Sequence, residues 1–242
     1  MSFRKPERLG NMTATTYVLI HGAGSDFWYW HVIGPDLRAL GHDVVAVDLL
    51  SDDDSAGVAE YTDAVVDSIA DRTDLIVVGQ SMAGFTAPLV CDRVDAKLLV
   101  LVAAMVPMPG ESPGDWWANT GHAEARREQA RRDGRPLDGD FDPMAEFFHD
   151  VPVDITAQAM ARGERRQSGT PFLKPWPLDA WPDVATRFLL CRDDRFFPAD
   201  FMRRVVKQRL GIAPDEMEGG HLPALSHPEE LVQRLEAYRT TL

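Results

Sequence analysis

Four short runs built largely from Val, Leu, Ile and Ala recur along the first half of this chain. They are TYVLIHG (16–22), DVVAVDLL (43–50), DLIVVGQ (74–80) and AKLLVLVAA (96–104). A strand with one wet face alternates apolar with polar residues. These runs are almost continuously apolar, so both faces must be covered, as in a parallel sheet flanked by helices. The intervening stretches have helical spacing: FWYWHVIGPDLRAL (27–40) behind a possible N-cap at Asp26, AGVAEYTDAVVDSIA (56–70) and SMAGFTAPLVCDRV (81–94). The repeated β-α-β unit predicts the α/β class, and 242 residues suit one such domain.

The rhythm breaks after Met105. MPGESPGDWWANTG, the charged run HAEARREQARRDG, DPMAEFFHDVP, DITAQAMARGERR and the proline-rich TPFLKPWPLDAWPD together read as an inserted helical cap over 108–183. Its four tryptophans, Trp116, Trp117, Trp176 and Trp181, together with Phe147 and Phe148, either line an apolar pocket or bind the cap to the core. ATRFLLC (185–191) resumes the sheet, PADFMRRVVKQRLG (198–211) reads as helix, PDEMEGG (214–220) follows, and PEELVQRLEAYR (228–239) is the last helix. The expected organisation is a tail at 1–11, a core at 12–107, the cap at 108–183 and the rest of the core at 184–242, with about six parallel strands.

Lys and Arg number 25 against 38 Asp and Glu, a formal charge of −13. That balance repels nucleic acid and anionic membranes. The longest apolar run, LLVLVAAMVPM (98–108), is too short to span a bilayer, and the opening MSFRKPERLGNM has no apolar segment of a secretory signal. Cys91 and Cys191 have no metal-site or disulfide spacing and read as reduced, semi-buried thiols. A cytoplasmic location is expected. Oligomeric state is not legible.

The chemistry starts at VVGQSMAG (77–84), where Ser81 follows a buried run and precedes a helix. A sharp strand-turn-helix corner lifts a serine hydroxyl above the sheet and needs small neighbours, here Gly79 and Ala83, with Gly84 one place beyond the usual position. Serine is a weak nucleophile unless an imidazole takes its proton. His221 in EGGHLPALSHPEEL stands after the last strand-like segment, behind two glycines that permit a tight loop, at the same sheet edge. His227, before Pro228, reads as a surface cap of the last helix. Asp194, four residues before Pro198 in CRDDRFFP, is the expected partner of that imidazole. Asp193 is expected to point away, into solvent or a salt bridge with Arg192 or Arg195. HGAG (21–24) offers backbone donors for an oxyanion, assigned to Ala23 N–H and Met82 N–H.

HGAG, GQSMAG, CRDDRFFP and GGHLPALSHPEEL together resemble the α/β-hydrolase superfamily. They are closest to its compact branch of plant methyl-ester esterases, hydroxynitrile lyases and bacterial esterases. The resemblance implies an α/β-hydrolase fold with a small helical cap, a triad of Ser81, Asp194 and His221 that cleaves a carboxylic ester or related acyl bond, and no metal or organic cofactor; an aromatic lid would favour a small apolar substrate. It also implies that the branch's first two strands are missing or very short, because only about fifteen residues precede TYVLIHG. Hydroxynitrile-lyase chemistry remains an alternative, although Gly22 and Leu222 stand where such lyases carry threonine and lysine. Outside the class, Gly22-Ala23-Gly24 followed by Asp48 partly mimics a dinucleotide-binding fingerprint, with Phe27 where its third glycine belongs. A non-catalytic binding module of this fold would normally have lost a triad member.

Overall fold

The computed structural model describes residues 14–136, 141–163 and 165–242. The expected tail at 1–11 lies outside them. The strand-like runs form β1 (Thr16–Ile20), β2 (Asp43–Val47), β3 (Leu75–Gln80) and β4 (Ala96–Val102). After the insertion come β5 (Thr186–Cys191) and β6 (Asp215–Met217). The six strands form one sheet in the order β2-β1-β3-β4-β5-β6, and every neighbouring pair is parallel.

The continuous apolar runs are explained by burial on both faces. Val18, Ile20, Leu75 and Val77 pack on one side, under α2 (Val58–Ile69), α3 (Ala87–Arg93) and α8 (Ala199–Leu210). The alternate residues Tyr17, Leu19, Ile76 and Val78 pack on the other, under α1 (Ile33–Ala39) and α10 (Pro228–Arg239). α9 (Pro223–Ser226) precedes α10.

Two stretches expected as single helices are divided. Phe27–Trp30 is a 3-10 turn before α1, and Ser81–Gly84 is a 3-10 turn before α3. Proline is the physical reason: a ring inside a helix loses a hydrogen bond and clashes with the carbonyl four residues back, but the first turn tolerates it. Pro35 and Pro88 accordingly fall in the first turns of α1 and α3.

Between β4 and β5, the described residues hold α4 (Pro113–Thr120), α5 (His122–Arg132), α6 (Pro143–Glu146) and α7 (Val153–Ala161). Trp116 and Trp176 fasten this stretch to the core, both buried, with indole N–H groups donating to Val106 O at 3.0 Å and Phe85 O at 3.1 Å. Cys91 and Cys191 are free and buried rather than semi-buried, and burial pushes the Cys91 thiol up to about 12. Among the described residues, no helix is long and apolar enough to cross a membrane.

The sheet order makes the site. From β1 the chain first builds outward to β2, then returns past β1 to build β3 to β6 in the opposite direction. Loops leaving the carboxyl ends of β1 and β3 therefore diverge, and open α/β sheets bind ligands in the crevice between such loops. Ile20 pairs with Gly79 across that switch point, so His21–Gly24 and Ser81 leave the sheet side by side. At the other half of the edge Cys191 pairs with Met217, which brings the Asp194 and His221 loops together.

Candidate active site

Ser81 has φ 54, a left-handed conformation that residues with a side chain rarely adopt. Strain of this kind costs on the order of 1–3 kcal/mol and survives only where packing enforces it. Here the enforcement is close backbone approach. A side chain on Gly84 would run into Met105 O, one on Gly79 would meet Ala87 Cβ at 2.8 Å, and Met105 N–H donates to Ser81 O at 2.9 Å. Gly84 rather than residue 83 thus meets the β4 exit, and alanine is accommodated at 83.

The structure brings Ser81, His221 and Asp194 together. His221 Nε2 lies 3.0 Å from Ser81 Oγ, and its Nδ1 lies 2.8 Å from Asp194 Oδ2. A carboxylate oxygen only accepts, so Nδ1 carries the proton and Nε2 is free to accept one from the serine. His221 and Asp194 are 2% and 3% exposed. The other Asp194 oxygen accepts from Phe196 N–H and Phe197 N–H, both at 2.8 Å, which leaves Oδ2 facing the ring. Gly219 supplies the sharp loop with φ 98, and Gln80 Nε2 donates to His221 O at 3.0 Å.

Asp193 is exposed, the solvent-facing one of the two alternatives expected for it, and it makes no salt bridge with Arg192 or Arg195. Its carboxylate accepts from Gly219 N–H at 3.2 Å, while Arg192 pairs with Glu218 and Arg195 donates to Ala145 O. One expectation needs correction: His227 stands at the N-cap of α10, but its side chain makes no capping hydrogen bond. Its Nδ1 lies 3.0 Å from Ser226 Oγ and 3.6 Å from Asp150 Oδ2.

The HGAG loop is fixed from both sides. His21 is buried, and burial lowers its pKa. Its Nδ1–H donates to Gly22 O at 2.8 Å while Nε2 accepts from Leu49 N–H at 3.2 Å, so the ring is neutral. In a trans peptide the N–H points opposite the C=O; tying Gly22 O to His21 therefore turns Ala23 N–H away from that ring. A side chain on Gly22 would lie 2.8 Å from Ser81 Cβ. Among the described residues, neither Ala23 N–H nor Met82 N–H donates to a protein acceptor. Farther along, Gln167 Oε1 accepts from Gly24 N–H at 3.1 Å, and buried Asp26 takes Arg162, Arg165 and Trp28 N–H. No long helix starts directly on this loop, as a dinucleotide fingerprint requires, since Phe27 opens only a 3-10 turn.

Aromatic rings enclose the imidazole. Phe147 stacks on His221 with centroids 5.2 Å apart, and Phe196 and Phe197 meet it edge-on at 5.1 and 4.9 Å. Behind them sits His122, which sequence reasoning left inside a charged helical run. Its Nε2–H donates to Phe196 O at 2.7 Å, and burial lowers its pKa to about 4. Gln80, Asp150 and Gln167 were missed as well. Only Gln80 carried a signal, as the residue before Ser81.

A family model described as alpha/beta hydrolase family matches residues 17–234. The chain is 25% identical over 251 residues to methylesterase 3 of Arabidopsis thaliana, with 88% of this chain and 92% of that relative covered. It is also 25% identical to methyl jasmonate esterase 1 of Vitis vinifera, covering 91% and 95%. The structure of polyneuridine aldehyde esterase superposes with a TM-score of 0.72 at 20% identity, covering 93% of this chain and 99% of that one.

Proposed function

This chain belongs to the alpha/beta hydrolase family, and from that premise we propose that it hydrolyses a carboxylic ester of a small apolar substrate through an acyl-enzyme on Ser81. The observation that carries the reading is the continuous hydrogen-bonded line from Ser81 Oγ through His221 to Asp194. Curated relatives named as methylesterases and a jasmonate esterase support ester chemistry. The aromatic rings around His221 favour an apolar acyl or alcohol group.

In the proposed cycle His221 Nε2 takes the Ser81 proton as Oγ attacks the ester carbonyl. The carbonyl oxygen becomes an oxyanion held by the N–H groups of Ala23 and Met82, each such donor typically worth about 3 kcal/mol of barrier. As the carbonyl re-forms, the bond to the alcohol oxygen breaks and His221 returns its proton to the departing alcohol. Water then attacks the acyl-enzyme, His221 takes its proton, and collapse releases the acid and restores Ser81. Asp194 holds Nδ1–H throughout and balances the transient imidazolium. Residues 12–107 and 184–242 serve as core and 108–183 as a cap over the crevice. Leu222, where a lyase of this branch carries lysine, offers no cation to a departing cyanide.

The test is a set of p-nitrophenyl esters of graded acyl length, assayed in EDTA with no added metal. Turnover should persist in the chelator. Ser81→Ala should lower kcat by at least about a thousandfold with the fold intact. Undiminished turnover by that variant overturns the assignment, and activity that dies in EDTA and returns with zinc overturns the metal-free mechanism.

A further inference from the structure

His221 must hold two bonds at once, yet it lies in neither strand nor helix: β6 ends at Met217 and α9 begins at Pro223. Its loop is fixed by what packs on it. Gln80 holds the His221 carbonyl from the β3 side. The opposite side is covered by Phe147–Asp150, a turn between α6 and α7 in the stretch inserted between β4 and β5. Phe147 lies on the imidazole, and Asp150 Oδ2 accepts from Gly220 N–H, the donor one residue before His221, at 2.6 Å.

Gly220 is shaped for this contact. A side chain there would lie 2.7 Å from His149 Nε2 and 2.8 Å from Asp150 Oδ1, so the turn sits directly on its backbone. The carboxylate is mostly enclosed, with a side-chain exposure of 17%. His227 Nδ1 lies 3.6 Å from Oδ2, and His149 Nε2 lies 4.0 Å from Oδ1. A hydrogen bond to a charged acceptor is roughly twice as strong as one between neutral groups. Among the described residues it is here given to one peptide N–H, on the loop that aims the imidazole.

We infer that Asp150 is a positioning residue, through which the inserted stretch fixes the Gly220–His221 peptide and so keeps His221 aligned on Ser81 and Asp194 together. The inference rests on the reading of Ser81 as nucleophile and His221 as its base. Asp150 touches no reacting atom. It acts on the transition state through geometry, so its loss lowers the chemical step and leaves substrate binding largely alone. A displacement of about 1 Å at such a base can cost about a hundredfold in rate.

The experiment compares the second-order rate of fluorophosphonate labelling, and kcat and KM for p-nitrophenyl butyrate, in the native chain, Asp150→Ala, Asp150→Ser and Asp150→Asn. Asparagine still presents an oxygen to Gly220 N–H; alanine has none, and the serine hydroxyl is too short to reach. Labelling and kcat should fall about tenfold or more in the alanine and serine variants, with KM within about twofold, and asparagine should recover to within about threefold of native. If Asp150→Ala does not fold, the serine variant decides. Native labelling rates in the folded alanine or serine variant overturn the inference, and so does an asparagine variant no better than alanine. A native chain that takes no label at Ser81 overturns the proposed function itself, a result distinct from either of these.

Discussion

Asp193 and Asp194 are adjacent, yet only Asp194 reaches the imidazole: β5 ends at Cys191, and the turn that follows leaves Asp193 exposed and Asp194 buried. Both carboxylates are engaged, Asp194 with His221 Nδ1 and Asp193 with the Gly219 N–H. Asp194→Asn should lower kcat by about four orders of magnitude, since an amide in that place stabilises the wrong imidazole tautomer. Asp193→Asn keeps an oxygen for Gly219 and should cost only several-fold. Steady-state kinetics of both variants, each checked for folding, test the pair, and losses in the reverse order contradict the assignment. The site residues singled out from sequence share one property: each follows an apolar run or a glycine pair at the sheet edge. Asp150 has no such mark. Its contact with Gly220 joins positions 70 residues apart, and nothing local in HDVP announces a partner in EGGH.

At the scale of elements, helices were legible wherever their apolar spacing ran uninterrupted, as in α2, and misjudged where proline stood inside it. Pro35 and Pro88 each moved a helix start past a 3-10 turn. The insertion was legible as a break in the β-α rhythm, but its contacts were not. Asp26 gathers Arg162 and Arg165 across more than a hundred residues, and Gln167 bridges Gly24 and Tyr61. His122, the first residue of α5, docks that helix on the loop after β5. Its pKa falls from the usual 6.5 to about 4 through burial. The unfolded chain therefore binds a proton below 6.5 that the folded chain refuses until about 4. The stability this neutral ring provides is full above 6.5 and lost as pH falls toward 4, by up to about 3 kcal/mol. His122→Gln, which keeps a donor for Phe196 O, should show a shallower fall in melting temperature over that interval than the native chain. Parallel curves for the two proteins would rule out His122 as a source of the acid sensitivity.

For the whole molecule, the strand order explains why residues scattered from 21 to 221 meet. A single reversal in the direction of sheet building, between β1 and β3, sets the edge at which these loops leave the sheet, and the register of the strands sets the loops level. The parallel sheet was readable because burial on both faces leaves no polar alternation. The pairing order was not, since nothing in a continuous apolar run says which neighbour it will take. If this architecture activates the Ser81 hydroxyl, covalent capture shows it without knowledge of the natural ester. The native chain should gain one fluorophosphonate adduct by intact mass, mapped by peptide fragmentation to Ser81, while Ser81→Ala, still folded, gains none. An adduct carried by another residue, or an unmodified native chain under conditions that label a known serine hydrolase, would rule out Ser81 as the nucleophile.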